Sequence, residues 1–578
     1  MLKRLPEKTQ FRLNRESGTI FKPHGRRLKV ALAFPNTYHV GMSNLGYQLV
    51  YRLFNESDDV VCERVFLPDA EDITDIEDSR EHLRSMESWS KVDSFDILAF
   101  SSSYELDYPN ILRIMSMSGI PLKAAERRDG RYPLVVGGGP AVTFNPEPLA
   151  PFFDAFIIGD AEAVVPDMIP ILLDNDVSDR ESLLQALCRL PGVYVPEFYI
   201  PEYKEDGTIA RVSAVGDAPK QIHRQWVKNL DRHHGSSVIL TPETEFSNMI
   251  LAEVARGCGR HCRFCAAGYT YLPPRARTAS RLMEEMEDLL NEDKSRRVGL
   301  MSASVFDHPA SLLICEALAE QDRLYSISST RADTLQKQVV DALRKGAHHT
   351  LTIAPEAGTD RLRNVINKRI THQQIIEAAQ TAWDGGFRQL RLYFMVGLPS
   401  ETDADIQGII DLIHEIRGMF RWERIAVSVS CFVPKPGTPF QWAGMCGEKE
   451  LERRLGVVKT AMRGLGNIDL SGESARSAVV QGVLSRGDRR VGDVLVHRID
   501  SNVSWRAAFR NAGIDPTFYA NRERERDEVF PWDHLDLGVA KEYLWREYER
   551  AFKEQPTTPC VVGSCRSCGV CVECRDRS

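Results

Sequence analysis

Cysteine carries the strongest chemical signal in this chain, because its placement is uneven: of 13 in 578 residues, three fall between 258 and 265 and five between 560 and 574. The first group is Glu253-Val254-Ala255-Arg256-Gly257-Cys258-Gly259-Arg260-His261-Cys262-Arg263-Phe264-Cys265, a C-x3-C-x2-C triplet. Three thiolates from one short loop can hold three irons of a cubane [4Fe-4S] cluster and leave the fourth iron open to a substrate-like ligand. Gly257 and Gly259 let the backbone wrap closely, and Phe264 can shield the cluster from water and so tune its potential. Two readings compete, a zinc site with His261 as fourth ligand and three structural cysteines. Zinc favours a C-x2-C or C-x4-C pair with a distant second pair, and no such pair lies nearby. Inert core cysteines rarely cluster in a Gly/Arg-rich loop.

The second group, Cys560-x4-Cys565-x2-Cys568-x2-Cys571-x2-Cys574, offers five thiols where a centre needs four. Cys565, Cys568 and Cys571 match the start of the bacterial ferredoxin run, without the expected x3 spacing and Pro after the fourth cysteine. An auxiliary iron–sulfur cluster is the first choice and a zinc knuckle the second. Cys62, Cys188, Cys315, Cys431 and Cys446 stand alone and are expected to pack as small apolar residues.

These groups need elements to position them. From about residue 26 short apolar runs (28–34, 96–100, 133–136 and 155–158) alternate with helical patterns such as 45–53, which predicts a parallel α/β sheet. Ligands sit beyond the carboxyl ends of such strands, so the loops Pro35–Gly46, Ser101–Ser103, Gly137–Pro140 and Gly159–Glu162 should converge on one crevice. The three glycines at 137–139 can also mark a simple tight turn, and they are not a Gly-x-Gly-x-x-Gly fingerprint. Residues 176–244 read as a connector with some extended structure. Beyond it, candidate strands at 250–255, 298–303, 324–329, 350–354, 389–396 and 425–431 alternate with helical patterns and predict a partial (β/α)6 TIM barrel with its site at the strand ends. The divisions are therefore 26–175 for a Rossmann-like domain, 176–244, 245–465 for the barrel, and 466–578 for a Cys-rich extension. Within that extension Ser485-Arg486-Gly487-Asp488-Arg489-Arg490 and Arg522-Glu523-Arg524-Glu525-Arg526 alternate in sign, which reads as a solvated, paired face.

Composition narrows the function classes. Lys+Arg number 73 against 81 Asp+Glu, a formal charge of -8, so the chain lacks the global positive field of a sequence-blind nucleic-acid binder. No window reaches the roughly 18 apolar residues of a membrane span, and the first residues lack an apolar signal core. A cytoplasmic protein without a membrane partner is expected, where clustered cysteines mean metal before disulfides.

The triplet, with an aromatic residue before its last cysteine and a place after the first strand of a six-unit barrel, resembles the signature of the radical S-adenosylmethionine (SAM) superfamily. The resemblance implies that the open iron binds the amino and carboxylate groups of SAM, that an electron from the cluster cleaves the sulfonium, and that the resulting 5'-deoxyadenosyl radical takes hydrogen from substrate. It also implies a reductant such as ferredoxin or flavodoxin. Later strand ends look like the superfamily's SAM-contacting positions. Ser302 and Ser304, in Leu300-Met301-Ser302-Ala303-Ser304, replace a glycine-rich second-strand motif. Ser329, Arg331 and Glu356 end the third and fourth strands, and Gly397 ends the fifth.

An α/β domain ahead of such a barrel resembles the cobalamin-binding class of these proteins. The likeness lies in Val135-Val136-Gly137-Gly138-Gly139-Pro140, Asn145-Pro146-Glu147-Pro148-Leu149 and Gly159-Asp160-Ala161-Glu162. An Asp-x-His-x-x-Gly motif is absent, and Asn36-Thr37-Tyr38-His39-Val40-Gly41 has its histidine at the wrong spacing. The resemblance thus implies cobalamin held without a histidine ligand, with Ser102, Gly138, Gly139, Pro140 and Gly159 facing the corrin, or a domain that binds nothing. The order of segments looks like an uncharacterised bacterial subgroup of the class. The favoured function is SAM-dependent radical chemistry, with cobalamin-dependent methyl transfer or radical modification of an unknown substrate, small molecule or RNA. The alternatives are an RNA-modifying sulfur-transfer enzyme and a non-catalytic iron–sulfur scaffold.

Overall fold

The computed structural model describes residues 4–79, 81–327, 330–500, 503–562, 565 and 567–571. Its first sheet is built on β1 (Leu28–Phe34), an apolar strand whose side chains alternate between two cores. Val30, Leu32 and Phe34 pack with Tyr47 and Tyr51 on one face, while Ala31 and Ala33 enter the core that runs on into the rest of the molecule. Around it lie β2 (Val60–Phe66), β3 (Ile97–Ser101), β4 (Leu134–Gly138), β5 (Ala155–Ile157) and β6 (Val193–Tyr194), in the order β2-β1-β3-β4-β5-β6. All pairs are parallel except β5 with β6.

Two features of this sheet depart from expectation. β2 is wholly buried although Glu63 and Arg64 interrupt its apolar pattern. Arg64, with no exposed surface, is neutralised by Glu16 and Glu87, so a strand that looks polar is a core strand with a paired cation. β6 comes from the segment expected to be a connector, so the sheet continues past residue 175. The same segment forms an antiparallel hairpin, Tyr199–Tyr203 with Ile209–Ala214, and a short strand, Ile222–His223, that pairs with Leu535–Asp536.

The barrel strands are β7 (Ile250–Glu253), β8 (Val298–Met301), β9 (Tyr325–Ile327), β10 (Thr350–Glu356), β11 (Gln389–Val396), β12 (Arg424–Cys431) and β13 (Ile468–Gly472). They form a three-stranded and a four-stranded parallel sheet joined by a bridge between Thr330 and Ile353. Six βα units are present as the periodicity predicts, and β13 adds a seventh parallel strand beside β12. Helices between strands start where their capping residues predict: Thr278 caps Ala279–Glu292 through Arg281 N–H, and Thr371 with Gln374 forms a capping box on His372–Asp384.

The carboxyl-terminal extension is packed between the two sheets. Asn145 donates to the carbonyls of Ser485 and Gly487, Glu147 takes both Arg489 and the Tyr194 hydroxyl, and His534 lies 3.8 Å from Glu147. Three segments distant in sequence thus meet in one buried knot. The Arg-rich stretch is consequently not the solvated face expected of its alternating signs. Arg486 and Arg524 are buried, and they donate to backbone carbonyls of Ala520, Arg522 and Arg486 itself. Alternation of charge reports pairing, and pairing serves a buried interface as well as a wet one.

Candidate functional site

A cavity of about 460 Å³ opens beyond the carboxyl ends of β1 and β3–β5. Asn44 and Gly46, Ser101 and Ser103, Gly137–Pro140, and Gly159–Glu162 all line it, so the four loops expected to converge do so. Leu49, Val50, Leu53 and Phe54 of the helix Leu45–Asn55, which Asn44 caps through Tyr47 N–H, make an apolar wall. The opposite wall belongs to the barrel: Glu253, Ala255 and Arg256 at the exit of β7, Tyr271, and Met301 and Ser302 at the end of β8.

The glycines divide by role. Gly139 (φ +102°) and Gly159 (φ +121°) cannot carry side chains, since a Cβ would come 2.5 Å from the Ser102 carbonyl oxygen and 1.9 Å from that of Gln225. At Gly138 the nearest atom to such a Cβ is 3.9 Å away, in Ile157, so that position gives close access to the cavity. Pro140 lines the cavity and starts the helix Pro140–Phe144. Ser102 does not line it: the residue is buried, with its backbone bonded to Gly138 and Ala141, and the serines at the rim are Ser101 and Ser103. Among the described residues no histidine lines the cavity, and His39 is half exposed, 3.5 Å from Glu245.

A charge network fixes the two walls to each other. Arg256 reaches Glu162 at 2.8 Å, Asp160 at 3.2 Å and Glu253 at 2.8 Å, and Arg275 reaches Asp160 at 2.7 Å. Burial alone would raise the carboxyls of Asp160 and Glu253, but Arg256 with Arg275 holds the first, and Arg256 with Arg277 the second, below the usual range. These charges persist at neutral pH and tie the two walls together.

Two residues past Arg256 the triplet begins. Gly257 (φ +85°) closes the loop on Tyr271, whose carbonyl oxygen would lie 2.3 Å from a Cβ. Burial pushes the Cys265 thiol up to about 12, and Cys262 and Cys258 add to it. Burial raises Cys258 as well, with Cys262 again contributing. Thiols that oppose one another's ionisation are stabilised as thiolates by a bound cation. Among the described residues no three His, Cys, Asp or Glu donors close on a point that a single ion could occupy. A cubane asks for a different set, because each thiolate takes a different iron, and three cysteines on one glycine-containing loop are the donors it needs. The His261 ring packs 5.7 Å from that of Tyr269 and 6.2 Å from that of Tyr543, and Phe264 is half-buried against the main core.

Beside Cys262 stands a residue that the sequence alone did not mark. Lys368 lies 3.0 Å from Glu356. Burial works against its charge, but Glu356 and Cys262 outweigh that and hold its pKa above the usual lysine value. Glu356 has φ +69°, next to a register shift in β10, a strained conformation of the kind concentrated at functional sites. Arg331 donates to the Lys368 carbonyl and to Asp333. Ser302 faces the cavity, whereas Ser304 begins the short turn Val305–Asp307, and the Gly397 N–H donates to Glu401. Ser329 and Cys574 lie outside the described residues.

The carboxyl-terminal helix Lys541–Phe552 is seated on the triplet loop. Arg263, fully buried, donates to Glu547, to the carbonyls of Asn364, Val365 and Gln555, and to Thr557. Asn367 joins the same contact, donating to the His261 carbonyl and accepting from Thr557 N–H. Further along, Cys560 N–H donates to the Gly259 carbonyl at 2.7 Å. Burial pushes the Cys560 thiol up to about 12, with Cys565, Cys571 and Cys568 contributing.

Two family models match this chain, one described as radical SAM proteins, N-terminal, over residues 46–196, and one as the radical SAM superfamily, over residues 252–413. The uncharacterized protein MJ0966 of Methanocaldococcus jannaschii is 29% identical over 472 residues, which are 81% of this chain and 90% of the relative. The uncharacterized methyltransferase PH0819 of Pyrococcus horikoshii is 25% identical over 53% of this chain and 61% of its own length. Among solved structures, the cobalamin-dependent S-adenosylmethionine radical enzyme OxsB with aqua-cobalamin bound is 14% identical, with a TM-score of 0.49 over 82% of this chain and 67% of that one. The two matches take in β2–β6 of the first sheet, the cysteine loop and β8–β11 of the barrel, and the chain belongs to the radical SAM superfamily of enzymes.

Proposed function

We propose that this radical SAM enzyme transfers a methyl group to, or makes an equivalent radical modification of, an unactivated carbon, with cobalamin held in the cavity between the first sheet and the barrel. The carrying observation is that the Gly-rich loops of the sheet and the strand exits leading into the cysteine triplet line the same cavity. When bound, a [4Fe-4S] cluster with one iron free of protein ligation supplies an electron to the sulfonium of SAM, and a corrin carries the methyl group.

This chain's own residues bind and orient. Cys258, Cys262 and Cys265 would hold the cluster. Lys368, Glu356 and Arg331, grouped beside Cys262, provide the charges that pair with the carboxylate and amino groups of SAM. Arg256, Asp160 and Glu162 keep the wall that carries the triplet in register with the wall that would carry the corrin. Since no histidine among the described residues lines the cavity, the corrin would be held by backbone and apolar contacts, with Gly138 against it. Arg486 and Arg524 are buried on backbone carbonyls, and Arg489 and Arg490 are paired with Glu147 and Asp488, so these four guanidiniums are already engaged within the fold and a small-molecule substrate is favoured over RNA.

Anaerobic reconstitution followed by dithionite and SAM should release 5'-deoxyadenosine. Added cobalamin should be retained with its corrin absorbance through gel filtration, and Gly138→Val should cut retention about tenfold, a loss of ~1.4 kcal/mol, without changing iron content. Absence of 5'-deoxyadenosine despite full iron loading would show a scaffold, and equal corrin retention by both proteins would remove cobalamin from the cavity.

A further inference from the structure

We propose that the carboxyl-terminal cysteines Cys560, Cys565, Cys568 and Cys571 hold a second iron–sulfur cluster, seated directly on the loop of the first. The inference goes beyond the function proposed above, and in naming this cluster the second it rests on the reading that the triplet holds the first.

Its support is the packing of the tail. The segment that carries these cysteines is built into the fold at several points. Cys560 N–H donates to the Gly259 carbonyl at 2.7 Å, between Cys258 and Cys262 of the triplet. A Cβ on Gly259 would lie 3.2 Å from the Cys560 Cβ, so a side chain at 259 would crowd the contact between the two cysteine segments. At the other end the Cys568 carbonyl accepts from Ala540 N–H at the start of the helix Lys541–Phe552. Cys568 and Val570 are 5% and 4% exposed, which for the last described residues of a chain marks a docked segment. Tyr543 stands between the two cysteine groups: its ring is 6.2 Å from His261, and its phenol is close enough to Cys565 and Cys568 to feel their charge.

The thiols face one another across this short span. Cys560 interacts with Cys565, Cys568 and Cys571, and the Cys565 thiol points 3.6 Å from the Ser567 hydroxyl. Cys568 packs with Val570 into the main core, but Cys560, Cys565 and Cys571 are only partly buried, and a thiolate-bound metal gives a reason for them to be gathered beside it. Cys565, Cys568 and Cys571 keep the C-x2-C-x2-C spacing that opens the bacterial ferredoxin run, which suits irons on separate corners of a cluster better than one zinc.

The test uses the full-length protein reconstituted without oxygen, with iron, sulfide and zinc measured per chain. The wild type should hold about eight irons, and a variant with Cys258, Cys262 and Cys265 all changed to Ala should keep about four, with matching sulfide. Changing Cys560, Cys565, Cys568 and Cys571 to Ala should leave about four in the triplet. Because the two loops share a hydrogen bond, the electron paramagnetic resonance signal of the reduced wild type should be broadened by coupling between the clusters and sharpen in each variant. Wild-type protein with about four irons, or a triplet variant with about one zinc and no sulfide, overturns the proposal even where a variant folds poorly. Two sharp, independent signals in the wild type would overturn the adjacency.

Discussion

At the scale of single residues, the chemistry of the site depends on which charges stay charged when buried. Lys368 is the clearest case, since burial favours the neutral amine while Glu356 and the Cys262 thiol favour the ammonium and prevail. If that ammonium receives the SAM carboxylate, Lys368→Met should weaken SAM binding about tenfold, ~1.4 kcal/mol, and leave the iron count of the reconstituted protein unchanged. Isothermal titration against anaerobic protein checks the first half and iron analysis the second, and Lys368→Arg should restore part of the affinity. An unchanged affinity would make the Lys368–Glu356 pair a purely structural brace of β10. The cysteines were legible in the sequence because thiols at close spacing have few other uses. Lys368 was not, because a lysine after a helix has many uses and only the fold brings it to Cys262. Ser102 shows the converse: its loop was identified correctly, but which of three adjacent serines faces the cavity depends on the pleat and on the turn at Gly139.

Among elements, periodicity was a faithful guide wherever one face met a core and solvent took the other, as in the helices between barrel strands. It failed at β2, where the Arg64–Glu16–Glu87 triad replaces the apolar contacts that the pattern requires, and at β6, a two-residue strand too short to carry a period. The Arg-rich segment misled for a related reason, because arginines buried on backbone carbonyls, as Arg486 and Arg524 are, leave the same sequence trace as exposed ones. That buried knot has a measurable consequence. The His534 ring stacks 4.7 Å from Tyr194 and 5.4 Å from Tyr199, facing Glu147 and Arg489, and burial pushes its pKa down to about 4 from the usual 6.5. Between those values the unfolded chain binds a proton that the folded chain does not, so stability falls as the pH drops from about 6.5 to about 4. Glu147, held low by Arg489 and His534 against the effect of burial, adds a loss in the same direction once it protonates. His534→Phe keeps the ring stack and removes the first of these penalties. Urea unfolding at pH 7.5 and pH 5 should then show a smaller pH-dependent loss in the variant, by an amount on the order of 1–3 kcal/mol. Equal losses in the two proteins would mean that His534 is hydrated in the native state.

For the whole molecule, the extension after residue 466 is the part whose role was least visible beforehand, since its segments bury surface only against elements hundreds of residues away. Lys435 of the barrel pairs with Glu105 of the first sheet, and Gln481 of the extension donates to the same carboxylate, so three regions share one buried charge. Arg263, inside the cysteine triplet, depends on the extension even more directly. It keeps two carbonyl acceptors in the barrel but takes its counter-ion Glu547, the Gln555 carbonyl and Thr557 from beyond residue 546. Removing the Glu547 charge alone leaves a guanidinium buried without a neutralising charge, at a cost of about 3–5 kcal/mol, and removing the whole segment also strips the cover from the loop that holds the metal. A chain ending at residue 540 retains Cys258, Cys262 and Cys265, and on ligand count alone it should still load the triplet. Its triplet is nonetheless expected to hold less than half of the iron that the full-length tail variant retains, and to lose it within a gel-filtration run. Glu547→Gln, which keeps a hydrogen-bonding oxygen for Arg263 and abolishes only the charge, should fall between the two. Iron per chain, measured across this series beside circular dichroism, would separate a triplet that is self-sufficient from one whose geometry is completed by the other end of the polypeptide.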